Sequence, residues 1–266
     1  MTHTVRTWLT SWSTFFEMRR DWQAVLSLLP KNPNTAGAST VRWYSTGEMP
    51  LRRRWAWVED CPSIEVATAG REGLLPGPGS RALDFSSGVG RNAFFLLKRG
   101  LGVRSIVYPD ATGSQLAFQE KWAGRYRKTC PGAGSIEVVP GEFARFDLGD
   151  HPFDLVVCVN ALMHVPLAVG REAIRHMQRQ TAAGGLHLIT TYTNADGYHG
   201  LASVSDDTFV TSGRAKEDEL QRLYPTPEWE HIGSSPQGLP STRDNRGRRC
   251  ARSVIVARKR APTAGA

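Results

Sequence analysis

The chain predicts an α/β fold: a mostly parallel seven-stranded sheet with one antiparallel strand, helices on both faces, and a helical extension at the N-terminus. Three observations carry that reading. From residue 81 onward, short apolar runs alternate with longer stretches at helical spacing, the signature of repeated βαβ units. The stretch "RALDFSSGVGRNAFFL" (81–96) ends an apolar run on Asp84, then bends through Ser86, Ser87, Gly88, Val89 and Gly90 before helical spacing resumes. A glycine-rich bend there lets backbone N–H groups approach a polar ligand at a helix N-terminus. The last two apolar runs need no crossover helix between them. They form a hairpin, with "STRDNRGRR" as its turn, that places an antiparallel strand at or near the sheet's edge.

In chain order, residues 5 to 29 set tryptophans, phenylalanines and leucines in one apolar stripe at helical spacing, and Pro30 and Pro33 stop it. The polar face of that helix carries few basic residues, which argues against a membrane-surface role. It packs on the main domain or covers the site as a lid. Residues 31 to 62 have no period and read as a connector, with Arg52–Arg54 a solvated basic run or a contact for an anionic substrate. "PSIEVATAGREGLL" is a short helix leading into the first strand. The expected strands are "RALDF", "RSIVY", "SIEVVP", "FDLVVCV", "GLHLITTY", "WEHIG" and "RSVIVAR". The organisation is therefore a helical extension over 1–61, a main domain over 62–260 and a tail over 261–266.

Composition narrows the class. With 40% hydrophobic and 22% charged residues, the chain has the balance of a soluble globular protein. Its four cysteines, Cys61, Cys130, Cys158 and Cys250, form no C-x-x-C pair, so neither a zinc site nor a disulfide framework is expected, no metal is called for, and a reducing cytoplasm is the default compartment. Charged residues interrupt the N-terminal apolar stretch, no small-residue cleavage site follows, and no run is long enough to span a bilayer. The net charge of +8 is unevenly spread: nine basic against seven acidic residues in 1–80, 16 against 17 in 81–240, and eight against one in 241–266. A basic C-terminus argues for nucleic acid far less than a basic groove would.

The glycine bend alone leaves the ligand open. Gly88-x-Gly90-x-x-Ala93 satisfies the dinucleotide pattern, and Asp110 lies 20 residues past Gly90, where an acidic residue would hold ribose hydroxyls. A nicotinamide oxidoreductase fits this much, although no catalytic Tyr-x-x-x-Lys accompanies it. Asp84, four residues before the first glycine, places a carboxylate where a cationic ligand group would meet it, which favours an amino-acid moiety over a pyrophosphate.

Taken together, "LDFSSGVGRN", "FDLVVCVNALMHVP" and "AAGGLHLI", in this order and spacing, resemble the S-adenosylmethionine-dependent methyltransferases of Rossmann-like fold. The resemblance covers roughly residues 62 to 260. Within that superfamily, the G-R-N ending of the bend, "AKEDELQRLYPTPEWEHI" and "RDNRGRRCARSVIVARKR" are similar to the tellurite-resistance methyltransferase group, compact enzymes acting on small molecules. The resemblance implies S-adenosyl-L-methionine as cofactor. It implies that Asp84, Ser86, Gly88 and Gly90 hold the methionine portion, Asp110 the ribose, and Glu142 and Phe143 the adenine, while Asn160 and Ala161 line the methyl-transfer cleft. Two departures stand out: the family usually has glycine at Ser86, and Pro109 precedes Asp110 where a strand normally runs on. They keep a non-catalytic binding module of the same fold in view.

Methyl transfer from a sulfonium is an in-line displacement whose leaving group departs neutral, so positioning is the protein's main task. An acceptor of high pKa also needs a base. His164, just after the fourth strand, is the candidate; its alternative role is packing in the "LMHVP" loop. Tyr192, Tyr198 and His199 are candidate acceptor contacts, joined by Trp8 and Trp12 if the first helix is a lid. Nucleic-acid amino-methyltransferases usually carry Asn/Asp-Pro-Pro-Tyr/Phe where this chain reads "VNAL", and Cys158 lies inside a buried strand rather than at a nucleophile's position. The expected acceptor is a small molecule, with RNA as the alternative, and the expected state a monomer or weak dimer.

Overall fold

The computed structural model describes residues 62–108, 114–129, 134–143, 145–162, 165–193, 219–243 and 249–261. The expected N-terminal helix, its lid role and residues 262–266 lie outside them. The elements are α1 (Ile64–Arg71), β1 (Arg81–Phe85), α2 (Arg91–Lys98), β2 (Gly102–Val107), α3 (Ser114–Thr129), β3 (Ile136–Pro140), β4 (Phe153–Val159), α4 (Leu167–Arg179), β5 (Thr181–Thr193), α5 (Glu219–Arg222), β6 (Trp229–Arg243) and β7 (Arg249–Lys259). They form one sheet in the order β3-β2-β1-β4-β5-β7-β6. Strands β1 to β5 pair in parallel, and β7 runs antiparallel to both β5 and β6. This is the expected mixed seven-stranded sheet. Its antiparallel strand stands one place in from the edge, and the outermost β6 is blunted by Pro236, Pro240 and three register shifts.

Strand alternation divides the core in two. Ala82, Leu155, Val157, Leu186, Leu188, Val254 and Val256 face α1, α2 and α3, which contribute Val66, Phe94, Leu97 and Trp122. Leu83, Phe85, Val156, Ile189 and Ile255 face the other way, onto Ile174 and Met177 of α4 and Leu220 of α5. Helices thus cover both faces, as parallel strands buried on both sides require.

The "AAGG" segment differs from expectation. Instead of a turn between helix and strand, it is a bulge inside β5: Thr181 already pairs with Phe153, and pairing resumes at Leu155↔Leu186. Gly184 has φ +80°, and a β-carbon on Gly185 would fall 2.7 Å from Thr181 Cγ2 and 2.9 Å from the carbonyl oxygens of Ala182 and Phe153. Gly185→Ala is therefore expected to destabilise the fold by about 2–3 kcal/mol. Gly184→Ala, with no described residue within 4 Å of the added β-carbon, should lose only about 1–2 kcal/mol to its left-handed backbone. Urea midpoints of the two variants check the ranking.

A polar network crosses the α4 side of the core. Thr181 Oγ1 donates to the Met177 carbonyl (2.6 Å), so it accepts from His187 Nε2–H (2.6 Å), while His187 Nδ1 accepts from the Tyr224 hydroxyl (2.8 Å). This fixes a neutral imidazole. Burial, with the Lys259 charge adding to it, pushes His187 down to about 3. Lys259 Nζ donates to the carbonyls of Gln178 and Thr181 (both 2.8 Å), closing the C-terminal end of α4 and giving the "ARK" ending of the last strand a structural purpose.

Candidate active site

The strand order reverses between β1 and β4, and in open α/β sheets the crevice beyond the carboxyl ends of such strands receives the ligand. The glycine bend lies there, with Asn160 opposite it at the end of β4. Ser86, Gly88 and Gly90 all have left-handed backbones, with φ of +57°, +59° and +84°. The two glycines serve different needs. A β-carbon on Gly90 would meet Phe94 at 2.9 Å and Gln119 at 3.0 Å, whereas one on Gly88 would find only Gln115 Oε1, 4.0 Å away. Gly90 is required by packing; among the described residues, Gly88 opens onto free space.

Gly90 caps α2 but has no side chain to do it with. Asp84 supplies the missing acceptor from the strand: the Ala93 N–H, in the first turn of α2, donates to its Oδ2 (2.9 Å). Burial raises the Asp84 carboxyl to about 7, against the opposing effects of the Ala93 N–H, Arg91 and Asn92. Asn92, the last residue of the "GRN" signal, also accepts from the Ser63 N–H (2.8 Å), which ties the start of α1 to the bend. Ser86 carries a side chain in a conformation that glycine adopts freely. Ser86→Gly is expected to stabilise the protein by about 0.5–1 kcal/mol, the relieved left-handed strain less glycine's entropy in the unfolded chain, and a melting curve checks it.

The sequence reading missed what lies under the bend. Gln119 of α3 donates from Nε2 to Ser87 Oγ (2.8 Å) and to the Gly88 carbonyl (2.7 Å), and its Oε1 accepts from Ser105 Oγ of β2 (2.7 Å). Ser105 and Ser87 hydroxyl oxygens are 2.8 Å apart, and the Ser87 N–H donates to the Ile106 carbonyl (3.0 Å). Gln119 and Ser105 are fully buried. Only the period of α3 could have hinted that Gln119 faces inward.

At the ends of β2 and β3, Phe143 is buried edge-on against Phe85 (centroids 5.0 Å), and Tyr108 lies 5.5 Å from Phe143. Tyr108 is 46% exposed, an aromatic face presented beside the crevice. Glu142 is exposed and pairs through its backbone with Arg145. At the end of β4, Asn160 holds φ +54° because Thr190 Oγ1 accepts its N–H (2.9 Å) and donates to its Oδ1 (3.2 Å). Ala161 is buried beside it. Asp84, Ser86, Gly88, Gly90, Asn160 and Ala161 thus gather at the β1/β4 switch point, with Phe143 and Glu142 toward β3. Tyr192 is in β5, two residues past Thr190, the partner of β4's last paired residue Val159. Pro109, Asp110, His164, Tyr198, His199, Trp8 and Trp12 lie outside the described residues. Cys158 is buried in β4, where burial raises its thiol well above the usual range, as a core residue requires. Among the described residues, no group of three or more His, Cys, Asp and Glu is placed to hold a metal ion, and no helix is long and apolar enough to cross a membrane.

A sheet ordered 3-2-1-4-5-7-6 with an antiparallel seventh strand, and a glycine bend leaving its central strand beside an acidic strand end, defines the Rossmann-like fold of S-adenosylmethionine-dependent methyltransferases. Residues 82–185 match the family model described as a methyltransferase domain. Solved structures of the same fold include TehB from Haemophilus influenzae (17% identity, TM-score 0.53, covering 74% of this chain and 61% of that one). A SAM-dependent methyltransferase from Methanosarcina mazei (16%, 0.54, 71% and 96%) is another. So is magnesium protoporphyrin IX methyltransferase ChlM from Synechocystis PCC 6803 (14%, 0.53, 83% and 92%). At these identities the likeness shows the fold, and the chain spans under two thirds of TehB's length. No curated protein sequence matches the chain significantly.

Proposed function

We propose that the protein binds S-adenosyl-L-methionine at the glycine bend and transfers its methyl group to a small-molecule acceptor. The observation that carries this reading is Gly88: a left-handed glycine at the switch point with, among the described residues, open space where its β-carbon would be. The surrounding residues fit the cofactor's chemistry, with a buried carboxyl at Asp84 below the bend and an exposed ring at Tyr108 on the adenine side. When bound, the cofactor supplies an electrophilic methyl on a sulfonium. The chain's residues position it: Asp84, Ser86, Gly88 and Gly90 the amino-acid end, Asp110 the ribose, Glu142 and Phe143 the adenine edge, Asn160 and Ala161 the cleft floor. His164 takes the acceptor's proton where one must leave, and Tyr192 and Trp12 contact the acceptor. The protein acts as a monomer or weak dimer.

Calorimetric titration with S-adenosylhomocysteine and, separately, NAD tests the reading on wild type and Asp110→Ala. Micromolar binding of the first alone, weakened by the substitution, is expected. Binding of NAD alone would assign the site to a nicotinamide enzyme, and binding of neither would leave a fold that has lost its cofactor.

A further inference from the structure

Gln119 sits in the middle of α3, far from the bend in sequence and fully buried, yet most of its polar capacity is directed at the bend. Its amide orientation is set by chemistry: the Gly88 carbonyl can only accept, so the end 2.7 Å from it is Nε2, and Oε1 turns to Ser105. The protons then balance. Both Nε2 protons are used, on Ser87 Oγ and the Gly88 carbonyl. The single Ser105 proton goes to Gln119 Oε1, and the Ser87 proton goes to Ser105 Oγ or to the Ile106 carbonyl, 3.2 Å away. With the Ser87 proton on Ser105 Oγ, Gln119, Ser87 and Ser105 form a closed ring; with it on the Ile106 carbonyl, Gln119 still joins both serines, and either way the bend is linked to α3 and β2.

The ring has a geometric consequence for the bend. In a trans peptide the C=O and the following N–H point in opposite directions. By holding the Gly88 carbonyl down toward α3, Gln119 directs the Val89 N–H, at the opposite edge of the same peptide plane, away from α3, and this N–H has no partner among the described residues. The same carbonyl anchor holds Gly88 with its open side free of the described residues.

We propose that Gln119 is a positioning residue for cofactor binding: through Ser87 and the Gly88 carbonyl it presets the peptide plane of the bend, so that the loop is ready for the ligand's polar end before the ligand arrives. This rests on the reading of the bend as the cofactor site. It goes beyond that reading by assigning affinity to a buried side chain on another element.

The test uses the full chain as wild type, Gln119→Leu and Ser105→Ala. Three quantities are measured: the S-adenosylhomocysteine Kd well below the melting temperature, the melting temperature, and amide hydrogen exchange of residues 86–90 without ligand. Gln119→Leu should raise the Kd about tenfold, the worth of one to two hydrogen bonds, and speed exchange in 86–90 more than in the β4 and β5 core. Ser105→Ala, which removes one member of the ring, should act in the same direction more weakly, and it decides the matter alone if the leucine variant does not fold. A lowered melting temperature with unchanged Kd and loop exchange would mean a merely structural role and overturn the proposal. If wild type binds no S-adenosylhomocysteine, the cofactor reading fails and takes this proposal with it; if wild type binds and the variants bind equally well, this proposal alone fails.

Discussion

Gly88→Ala should remove most of the affinity for S-adenosylhomocysteine while leaving the fold nearly intact, and Gly90→Ala should do the reverse, damaging the fold first. Both positions have left-handed backbones, so each alanine loses about 1–2 kcal/mol to local strain. Their surroundings separate them. Among the described residues, the nearest atom to a β-carbon on Gly88 is 4.0 Å away, so none of them resists it. The bound cofactor would, and an overpacked contact of that kind weakens binding about tenfold to a hundredfold. At Gly90 the β-carbon would lie 2.9 Å from the Phe94 ring and 3.0 Å from Gln119, both fully buried, so α2 or α3 must shift. The total there is about 3–5 kcal/mol, a large fraction of a domain's stability. Urea denaturation and calorimetry on the pair would show it. Equal loss of stability in both variants, with equal Kd values, would contradict the division of labour.

The second large effect concerns pH, where two buried groups act in opposite directions. Asp84 has its native pKa raised from 3.8 to about 7, so the stability linked to it is present below its unfolded value and lost as pH rises through about 7. His187 has its native pKa lowered from 6.5 to about 3, so its contribution is present above 6.5 and lost as pH falls toward 3. Each changes stability by about 1.4 kcal/mol per pH unit inside its window. Between about pH 4 and 6.5 the two slopes nearly cancel. Asp84→Asn keeps an acceptor for the Ala93 N–H and removes one slope. Relative to that variant, wild type should gain about 4 kcal/mol of stability as pH falls from 7 to 4. The variant itself should weaken steadily in acid as His187 of the unfolded chain takes up a proton that the folded one refuses. Parallel stability profiles for the two proteins would show that Asp84 is not held in its protonated form by burial.

Local pattern made much of this fold legible. β1 and β4 begin and end where their apolar runs do, because both are central strands whose residues have no alternative but the core. The hairpin was legible from the missing crossover helix. The β5 boundary was not: Gly184 and Gly185 read as a turn, and only pairing of Thr181 with Phe153 across the bulge makes them part of the strand. In the bend, the spacing of the glycines and Asp84 carried the expectation of a ligand site. The partner of Asp84 was less predictable. The carboxylate expected to face a ligand caps α2, since Gly90 cannot. Gln119 and Ser105 carry no motif, because their importance depends on β2, α3 and the bend meeting in space. Asn160 had a polar strand-end signal, but its left-handed backbone depends on Thr190 one strand away.

If the bend after β1 receives the cofactor, hydrogen exchange with saturating S-adenosylhomocysteine will register it there. Slowed exchange at residues 86–90 and at the end of β4 around Asn160, with NAD leaving both unchanged, is the predicted result. A saturating ligand that slows exchange elsewhere and leaves the bend untouched would contradict the account.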